Sequence, residues 1–402
     1  MQPTFELAHV LRAQWTAIEQ SVKNKTLNTW QLRTLSALSK CRTSALGGHI
    51  DGCTSCGNVR ISYNSCRNRH CPKCQGNERE AWIQARQQEL LPVSYFHVVF
   101  TLPSELNSLC MQYPSVMYAA LFDAAWDTIN TFANDKKHLG ATTGMISILH
   151  TWGQQLTLHP HLHCIIPAGG LSFKGKWKHC KTNGNYLFPV KALSKVFRAK
   201  YIHHVRKRVA LHNLKKEKQI VLPKHTIDEC FKKQWVVFAK KPFSGVDSVV
   251  EYLGRYTHKI AMSNHRILDI DTKNETITFK YKDYKDNAKK KLLTLNSMEF
   301  IRRFSLHILP KRFVRIRHYG ILSSTAKQTA IPIIREQFEN INAKPVTIPA
   351  RPAGGKAEPF NPLLCPCCKK QTMIRLMDFD QRGPPTNWRI RNAQILQAVK
   401  MN

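Results

Sequence analysis

The stretch Leu158-His159-Pro160-His161-Leu162-His163-Cys164-Ile165-Ile166 decides the fold of this chain. Residues 162–166 are almost wholly apolar, which is typical of a strand buried in a sheet. Because side chains alternate between the two faces of a strand, His161 and His163 point to one face, whereas Leu162 points to the other. Two imidazoles on one face can share a divalent metal ion. The alternative interpretation is two histidines on a partly exposed strand.

A pair of tyrosines is the second informative feature. Tyr252 and Tyr256 lie four residues apart in Glu251-Tyr252-Leu253-Gly254-Arg255-Tyr256-Thr257-His258, on a predicted helix and therefore on one face of it. The same helix has an apolar stripe at helical spacing: Val246, Val249, Val250 and Leu253. The tyrosines fall beside this stripe, so they can lie over a sheet face; the alternative is two tyrosines at the edge of a core.

The composition favours a polyanionic partner. The chain has 402 residues, 43% of them hydrophobic, and a formal net charge of +35, far more than solubility needs. No apolar run reaches the roughly 18 residues that span a membrane, and the N-terminus lacks the pattern of a signal peptide. We therefore expect a cytoplasmic, nucleoid-associated protein without a membrane partner. In that compartment the 13 cysteines favour metal sites over disulfides.

The densest group of potential metal-binding side chains lies in residues 41–75. The cluster comprises Cys41, His49, Cys53, Cys56, Cys66, His70, Cys71 and Cys74. The two Cys-x2-Cys pairs, Cys53/Cys56 and Cys71/Cys74, predict a tetrahedral structural Zn²⁺ site. The other four, Cys41, His49, Cys66 and His70, would make a second tetrahedron, although Cys66 or His70 could exchange into the first. Such sites stabilise a fold and do no chemistry themselves.

The C-terminal part is predicted to be a linker followed by a basic tail. Prolines and glycines accumulate over 345–362, and residues 375–402 are basic and predicted to be flexible. Between them lies Cys365-Pro366-Cys367-Cys368, half of a zinc site with no further ligand downstream. The sequence therefore does not favour metal binding there. Ligands from elsewhere in the chain are the one route to it.

The remaining patterns predict an α+β fold. Strands are expected at 95–102, 145–151, 235–239 and 311–320, and a hairpin joins 267–270 to 276–281. Helices are expected at 76–91, 104–132, 189–218 and 298–308, the last with Ser297 as its N-cap. We expect an antiparallel sheet with helices packed on it, and His150 close to the histidine pair because the two strands are neighbours.

The His-hydrophobic-His motif upstream of a paired-tyrosine helix resembles the HUH endonuclease superfamily. Within it, the chain is most similar to the two-tyrosine rolling-circle transposases of bacterial insertion sequences. The resemblance covers residues 41–75, 95–102, 149–170, 235–265 and 304–322, in the expected order. It implies an N-terminal helical and zinc-binding domain over 1–92, an HUH catalytic domain over 93–325, and a linker with a basic tail over 326–402.

The resemblance also implies an activity. Tyr252 and Tyr256 would be the nucleophiles of single-strand DNA cleavage and strand transfer through a 5′-phosphotyrosine. His161 and His163 would bind Mg²⁺ or Mn²⁺ together with a third ligand, for which His150 is the first choice. The rivals for that position are Gln154, His159 and His97. The partners would be single-stranded element ends and target DNA, with host helicase and replication machinery as further candidates.

Positively charged residues within the segments that carry the resemblance are the candidate DNA contacts. They are Arg67, Arg69, Lys73, Arg255, Arg315 and Arg317.

Three other function classes are alternatives to this activity. A transposase with three catalytic carboxylates is disfavoured by the 26 acidic residues, none of them placed near the histidines. A plasmid or phage replication initiator, or a relaxase, shares the chemistry. A non-catalytic zinc-dependent DNA-binding regulator would leave the histidine and tyrosine pairs unexplained.

Overall fold

The computed structural model of the chain describes residues 3–75, 89–181, 187–215, 219–243, 249, 259–339, 361–388 and 394. The predicted helix over 76–91 lies almost wholly outside these residues. The predicted tyrosine helix does so too, apart from Val249, which is helical.

The described chain alternates between helices and strands. The helices are α1 (Leu7–Ala13), α2 (Trp15–Lys23), α3 (Thr29–Ser39), α4 (Asn107–Gln112), α5 (Pro114–Asn134), α6 (Val190–Lys215), α7 (Lys224–Lys232), α8 (Ser297–Ser305) and α9 (Lys327–Glu339). The strands are β1 (Gly48–Cys53), β2 (Val59–Tyr63), β3 (Tyr95–Thr101), β4 (Gly144–Trp152), β5 (Leu158–Pro167), β6 (Gly169–Leu171), β7 (Trp177–His179), β8 (Val237–Phe243), β9 (Ile267–Asp271), β10 (Thr276–Asp283), β11 (Lys289–Asn296), β12 (Ile316–Gly320) and β13 (Met373–Phe379).

A five-stranded antiparallel sheet lies at the centre, in the order β12-β4-β5-β3-β8. The strands predicted around the histidines are confirmed, and β4 and β5 are neighbours with His150 directly opposite His161. On the other side of β5, His97 of β3 lies opposite Ile165. The predicted α+β class, with a central antiparallel sheet flanked by helices, is therefore confirmed.

One face of this sheet, here called the helix face, is covered by α4, α5 and α6. Its side chains include Phe96, Phe100, Leu162 and Ile166, all at most 1% exposed, in one hydrophobic cluster with the buried sides of those helices. The helix predicted over 104–132 is two helices, α4 and α5. The break falls at Pro114, because proline has no N–H to donate and is well suited to the first turn of a helix.

The opposite face, here called the histidine face, carries the alternate side chains of the same strands. Its apolar half consists of Tyr95, Ile146, Ile148 and Ile165, which form a cluster with buried residues of α9. The other half carries the histidines. The strand alternation therefore separates an apolar core on the helix face from a face that is half apolar and half imidazole.

A second large cluster joins the N-terminal helices to a three-stranded sheet, β11-β10-β9, and to α8. Backbone carbonyls add to this interface, since Trp30 donates to Leu309 O at 2.9 Å and Gln31 to Ser305 O at 3.0 Å. The cluster crosses the predicted boundary at residue 92, which itself stays a prediction.

Two details of this region differ from the sequence analysis. Residues 289–296, for which the sequence analysis predicted neither helix nor strand, form strand β11, because they pair along their whole length with β10. The N-cap of α8 is Asn296 and not Ser297, since the Asn296 carboxamide accepts from Met298 N at 2.9 Å.

The segment assigned to linker and tail contains regular structure. Helix α9 packs on the histidine face. Strand β13 pairs antiparallel with β1 and completes a three-stranded sheet, β13-β1-β2. The C-terminal segment 361–388 is thus part of the N-terminal unit in space.

Gly320, at the end of β12, is required by its position. Its φ is +57°, and a Cβ there would lie 2.0 Å from the backbone oxygen of Thr143. Only glycine fits such a left-handed conformation against backbone.

Among the described residues, no helix is long and apolar enough to cross a bilayer. The predicted cytoplasmic location stays a prediction.

Candidate active site and cysteine clusters

Three histidines come together at one end of the histidine face. The ligand atoms of His150, His161 and His163 all lie within 4.8 Å of one another. The ring centroids of His150 and His163 are 4.6 Å apart, and those of His161 and His163 are 4.9 Å apart. The cluster follows directly from the strand register. His150 on β4 is directly opposite His161 on β5, and His163 lies two residues further along β5 on the same face.

Hydrogen bonds orient two of these rings. His161 Nδ1 donates to the carbonyl oxygen of His159 at 2.6 Å, and His163 Nδ1 lies 2.9 Å from His97 Nε2. Since Nδ1 is engaged in both rings, a metal ion would bind each at Nε2. A His163 that binds through Nε2 carries its proton on Nδ1 and donates it to His97, an arrangement that fixes the tautomer and the ring plane.

The third histidine is held by stacking. The His150 ring lies on Trp152, with centroids 4.5 Å apart and planes 23° apart, and its side chain is 2% exposed. Stacking on a fixed indole restricts the ring rotation of His150 and keeps it directed toward His161 and His163.

Burial keeps two of these imidazoles, His161 and His163, neutral. It lowers the pKa of His161 to about 4, against a smaller raising effect of the hydrogen bond to the His159 carbonyl, and it holds the pKa of His163 well below its usual range. Electrostatic interactions with neighbouring groups, His150 first, add to the lowering of the pKa of His163. Near pH 7 both rings are therefore in the neutral form, which is the form that binds a metal ion.

The three rivals for the third ligand position lie outside this cluster. The Gln154 side chain accepts from Lys282 N at 3.4 Å, on the neighbouring sheet. His159 contributes its carbonyl oxygen to the orientation of His161. His97, 4% exposed, is the hydrogen-bond partner of His163, a role that the sequence analysis did not consider.

The loop between β4 and β5 is anchored by three side chains that lie just before β9, within α8 and just after α8. Arg266 donates to Gln154 O, and Arg303 donates to the next carbonyl, Gln155 O, at 3.3 Å. His307 lies 3.2 Å from both Thr151 Oγ1 and Leu156 O. The loop that connects the two histidine-bearing strands is thus fixed by side chains of the β9 and α8 regions, which pack against the N-terminal helices.

The two tyrosines, Tyr252 and Tyr256, and the neighbouring Arg255 lie outside the described residues. Val249 is described and is fully buried in the cluster on the histidine face, together with Ile148 and Ile165. This agrees with the predicted apolar stripe at that residue.

The cysteines form two clusters, and both differ from the predicted pairing. The first comprises Cys41, Cys66, Cys71 and Cys74. Its Sγ–Sγ distances are 3.5 Å for Cys41–Cys74 and 3.7 Å for Cys66–Cys74. A tetrahedral zinc with bonds of about 2.3 Å places its sulfurs about 3.8 Å apart. Hydrogen bonds from the other thiols, that of Cys41 first, lower the pKa of Cys74, so the cluster stabilises a thiolate.

The second cluster comprises Cys53, Cys56, Cys365 and Cys368. The predicted set Cys53, Cys56, Cys71 and Cys74 is therefore corrected, and Cys365 and Cys368 take the places given to the second pair. The reason is the pairing of β13 with β1, a contact between distant segments that ligand spacing cannot reveal. The signal available was the equal spacing of the two pairs, Cys53-x2-Cys56 and Cys365-x2-Cys368.

Neither predicted histidine belongs to a cysteine cluster. His49 Nε2 lies 3.5 Å from Asp51 Oδ2. His70 is placed near Arg69 and Arg315, and burial followed by these charges lowers its pKa to about 3. Its ring is therefore neutral near pH 7.

Three of the candidate DNA contacts have partners within the protein. Arg69 donates to Pro310 O at 2.9 Å and to Phe313 O, and Lys73 forms an ion pair with Glu6 at 2.6 Å. Arg315 is 8% exposed and donates to Lys259 O at 3.3 Å.

Two candidate contacts remain. Arg317, in β12, is half-buried and packs over the ring of Phe122 at 4.2 Å. Arg67 is exposed.

The basic helix predicted over 189–218 is described as α6, on the helix face. Its exposed lysines and arginines, here called the α6 cations, are Lys191, Lys195, Arg206, Lys207 and Lys215. They lie on the opposite side of the sheet from the histidines.

Comparison with known proteins gives two family matches. The family described as "Putative transposase", of the Y2 type, matches residues 144–329, and the family described as "Transposase zinc-binding domain", of the IS91 type, matches residues 10–102. A protein of Sinorhizobium fredii (strain NBRC 101917 / NGR234) named "Putative transposase y4qJ" is 38% identical over 405 residues, which cover 95% of this chain and 98% of the relative. The chain belongs to the IS91-type transposase family.

A second relative supports this membership. The "Transposase for insertion sequence element IS801" of Pseudomonas savastanoi pv. phaseolicola is 29% identical over 353 residues, 83% of this chain and 82% of the relative. No solved structure matches the chain significantly. The resemblance stated from the motifs is thus confirmed: the protein is a transposase with a zinc-binding domain, and its substrate is DNA. The histidine triad lies within the first matched range, and the first cysteine cluster within the second.

Proposed function

We propose that this transposase cleaves and rejoins single DNA strands through a covalent tyrosine intermediate, in transposition of the rolling-circle type. The observation that carries the proposal is the histidine triad: three imidazoles from adjacent strands, with ligand atoms within 4.8 Å of one another. Val249 supports the placement of the tyrosines, because it is buried on the same face and precedes Tyr252 by a single helical turn in the predicted helix.

His150, His161 and His163 fit a divalent ion such as Mg²⁺ or Mn²⁺. Bonds of about 2.1 Å place the ligand atoms of one ion about 3 to 4 Å apart, so small ring rotations suffice. Three protein ligands leave positions for a phosphate, and a bound ion neutralises charge on the phosphate oxygens. The protein's own contribution is twofold: burial keeps His161 and His163 neutral, and His97, Trp152 and the carbonyl of His159 fix the orientation of the three rings.

The nucleophile in this proposal is Tyr252 or Tyr256. Its phenolic oxygen forms a bond to the phosphorus and loses its proton, while the bond from phosphorus to the 3′ oxygen breaks and that oxygen takes up a proton. The 5′ phosphate stays on the tyrosine, and a free 3′ hydroxyl is released. The ester keeps the bond energy for rejoining, when a 3′ hydroxyl attacks the phosphotyrosine. Two tyrosines allow two successive cleavages, and hence transfer of a strand from one site to another.

The first cysteine cluster supports a structural zinc close to this machinery. Cys41, Cys66, Cys71 and Cys74 have sulfur distances suited to Zn²⁺, and the cluster belongs to the core that joins α1 and α3 to α8. Exposed Arg67 lies beside Cys66 and is the candidate phosphate contact of this unit. Host helicase and replication machinery are the partners that strand displacement would require.

Cleavage of a single-stranded oligonucleotide bearing an element end tests the proposal. With Mg²⁺ or Mn²⁺, we expect a protein–DNA adduct that survives denaturation, and a chelator should abolish it. Tyr252→Phe/Tyr256→Phe should bind DNA and form no adduct, while either single change leaves partial cleavage. His161→Ala should also abolish the adduct. The matched control is Tyr284→Phe, since this tyrosine is 70% exposed and lies in the loop between β10 and β11.

The outcomes separate the function classes. Adduct formation by the double tyrosine variant would contradict the proposal, because water or another residue would then be the nucleophile. No adduct with the unaltered protein under any divalent metal would favour a non-catalytic DNA-binding regulator. Transfer of the cleaved strand between two element ends distinguishes the transposase from a replication initiator or relaxase.

A further inference from the structure

The second cysteine cluster lies where the two ends of the chain meet. Strand β13 pairs antiparallel with β1, and Cys53, the last residue of β1, is opposite Met373, the first residue of β13. The turn from β1 to β2 therefore lies beside the turn that precedes β13. A backbone hydrogen bond from Thr54 N to Thr372 O, 3.0 Å long, holds the two turns together.

These two turns have the same backbone design. After Cys53-x2-Cys56, Gly57 has φ +77° and its N–H donates to Cys53 O at 2.9 Å. After Cys365-x2-Cys368, Lys369 has φ +59° and its N–H donates to Cys365 O at 3.0 Å. A lysine in the left-handed region is unfavourable and persists only where its surroundings impose it. Such a turn directs both sulfurs of a Cys-x2-Cys pair to one point.

The four sulfurs have the spacing of a tetrahedral metal site. Cys53 Sγ lies 3.6 Å from Cys368 Sγ, and Cys56 Sγ lies 3.6 Å from Cys365 Sγ. All four lie within 4.8 Å of one another. Disulfides would require about 2.05 Å, whereas four thiolates around one zinc lie about 3.8 Å apart.

Little apolar surface is buried around the second cysteine cluster. The hydrophobic cluster of this region contains Cys53, Cys365 and Met373 as its buried residues, with Cys368 against it. Three short strands with so little buried apolar surface are the kind of unit that a structural metal stabilises. Sulfur hydrogen bonds are also in place, since Cys56 N donates to Cys53 Sγ at 3.4 Å and Thr372 Oγ1 lies 3.0 Å from the same sulfur.

We propose that Cys53, Cys56, Cys365 and Cys368 bind one zinc ion that joins the C-terminal segment 361–388 to the N-terminal unit. The matched family ranges end at residues 102 and 329, so neither includes the second pair of ligands. The zinc closes a loop of about 310 residues between its two ligand pairs, and β13 then completes the sheet with β1 and β2. This site is independent of the proposed chemistry at the histidines.

Alkylation of the unaltered, full-length protein provides the first test. Cys56 and Cys367 are both exposed, so as free thiols both would react with iodoacetamide. We expect Cys367 to be modified rapidly and Cys56 to be protected, as measured by mass spectrometry of the peptides. Prior treatment with a strong chelator should make Cys56, Cys365 and Cys368 reactive. Equal rates at Cys56 and Cys367 before chelation would overturn the proposal.

Zinc content provides the second test. Cys365→Ser/Cys368→Ser should contain one zinc equivalent fewer than the unaltered chain, and Cys367→Ser, in the same turn, should contain the same amount. Changing all four ligands should remove no more zinc than changing either pair, because both pairs hold one ion. Full zinc content in Cys365→Ser/Cys368→Ser, or two equivalents lost from the fourfold variant, would contradict a shared site. The alkylation result remains decisive where a variant fails to fold.

Discussion

The hydrogen bond from His163 to His97 predicts a measurable loss of metal affinity when it is removed. His97→Phe keeps a planar ring of similar size in the site but removes the acceptor at 2.9 Å from His163 Nδ1. Both residues are buried, at 4% and 8% exposure, so water cannot easily replace the lost partner. The metal-binding tautomer of His163 would then carry an unsatisfied Nδ1–H in a buried site.

The expected magnitude follows from this geometry. Leaving a buried donor unsatisfied costs about 1–3 kcal/mol, and loss of such an orienting partner typically lowers metal affinity about 10- to 100-fold. We therefore expect the dissociation constant for Mn²⁺ to rise about 10- to 100-fold in His97→Phe. His97→Gln should recover much of the affinity, because its side-chain oxygen can accept the same proton.

Titration of Mn²⁺ into the full-length protein, followed by electron paramagnetic resonance or calorimetry, measures the effect. The matched control is Tyr95→Phe on the same strand and face, which removes only the hydroxyl that accepts from Leu91 N at 2.8 Å. It should lower stability and leave Mn²⁺ affinity nearly unchanged. Unchanged affinity in His97→Phe, or an equal loss in Tyr95→Phe, would refute the assigned role of His97.

Three further predictions concern stability and DNA binding. Gly320→Ala should destabilise the protein by at least about 2 kcal/mol in chemical denaturation, whereas Gly175→Ala, at φ +70° with open space for a Cβ, should cost only about 1 kcal/mol. His307 is 2% exposed and burial lowers its pKa to about 4, so protonation favours the unfolded chain as pH falls below about 6.5. His307→Gln should therefore lose about 2 kcal/mol less stability than the unaltered protein between pH 7.5 and 5.0, as measured by chemical denaturation at the two pH values. Neutralising the α6 cations should weaken DNA binding and flatten its dependence on salt, without slowing adduct formation in saturated complexes; a slower adduct rate at saturation would show that α6 contacts the reacting strand.

The strands that carry the chemistry could be predicted because their pattern is local. Alternation along 158–166 indicates that His161 and His163 share a face, and proximity of two apolar runs indicates that His150 lies on a neighbouring strand. The role of His97 was not predictable in the same way. It depends on β3 pairing with the other edge of β5, after a separation of more than sixty residues in sequence.

The grouping of the cysteines into two clusters was also not predictable from the sequence. Their residue type and Cys-x2-Cys spacing identify the ligands, but spacing within one segment does not determine which pairs share an ion. Cys53 and Cys71 belong to different cysteine clusters. Cys53 ends β1 beside β13, whereas Cys71 packs in the hydrophobic cluster that contains buried residues of α1 and α3. Long-range strand pairing decided the grouping, and a sequence pattern contains no direct information on it.

The central sheet separates the positive charge of the α6 cations from the histidine triad. The α6 cations lie on the helix face, with the layer of α5 and α6 and the sheet itself between them and the histidines. A helix is about 10 Å across and a sheet packs at about 10 Å, while charges in solution are screened over about 8 Å at physiological salt. Charge on the helix face can therefore concentrate DNA at the protein but acts weakly on a phosphate at the histidines. Under the proposed function, groups on the histidine face hold the reacting strand. The fixed orientation of the three imidazoles and the neutrality of His161 and His163 then matter more for cleavage than the net charge of +35.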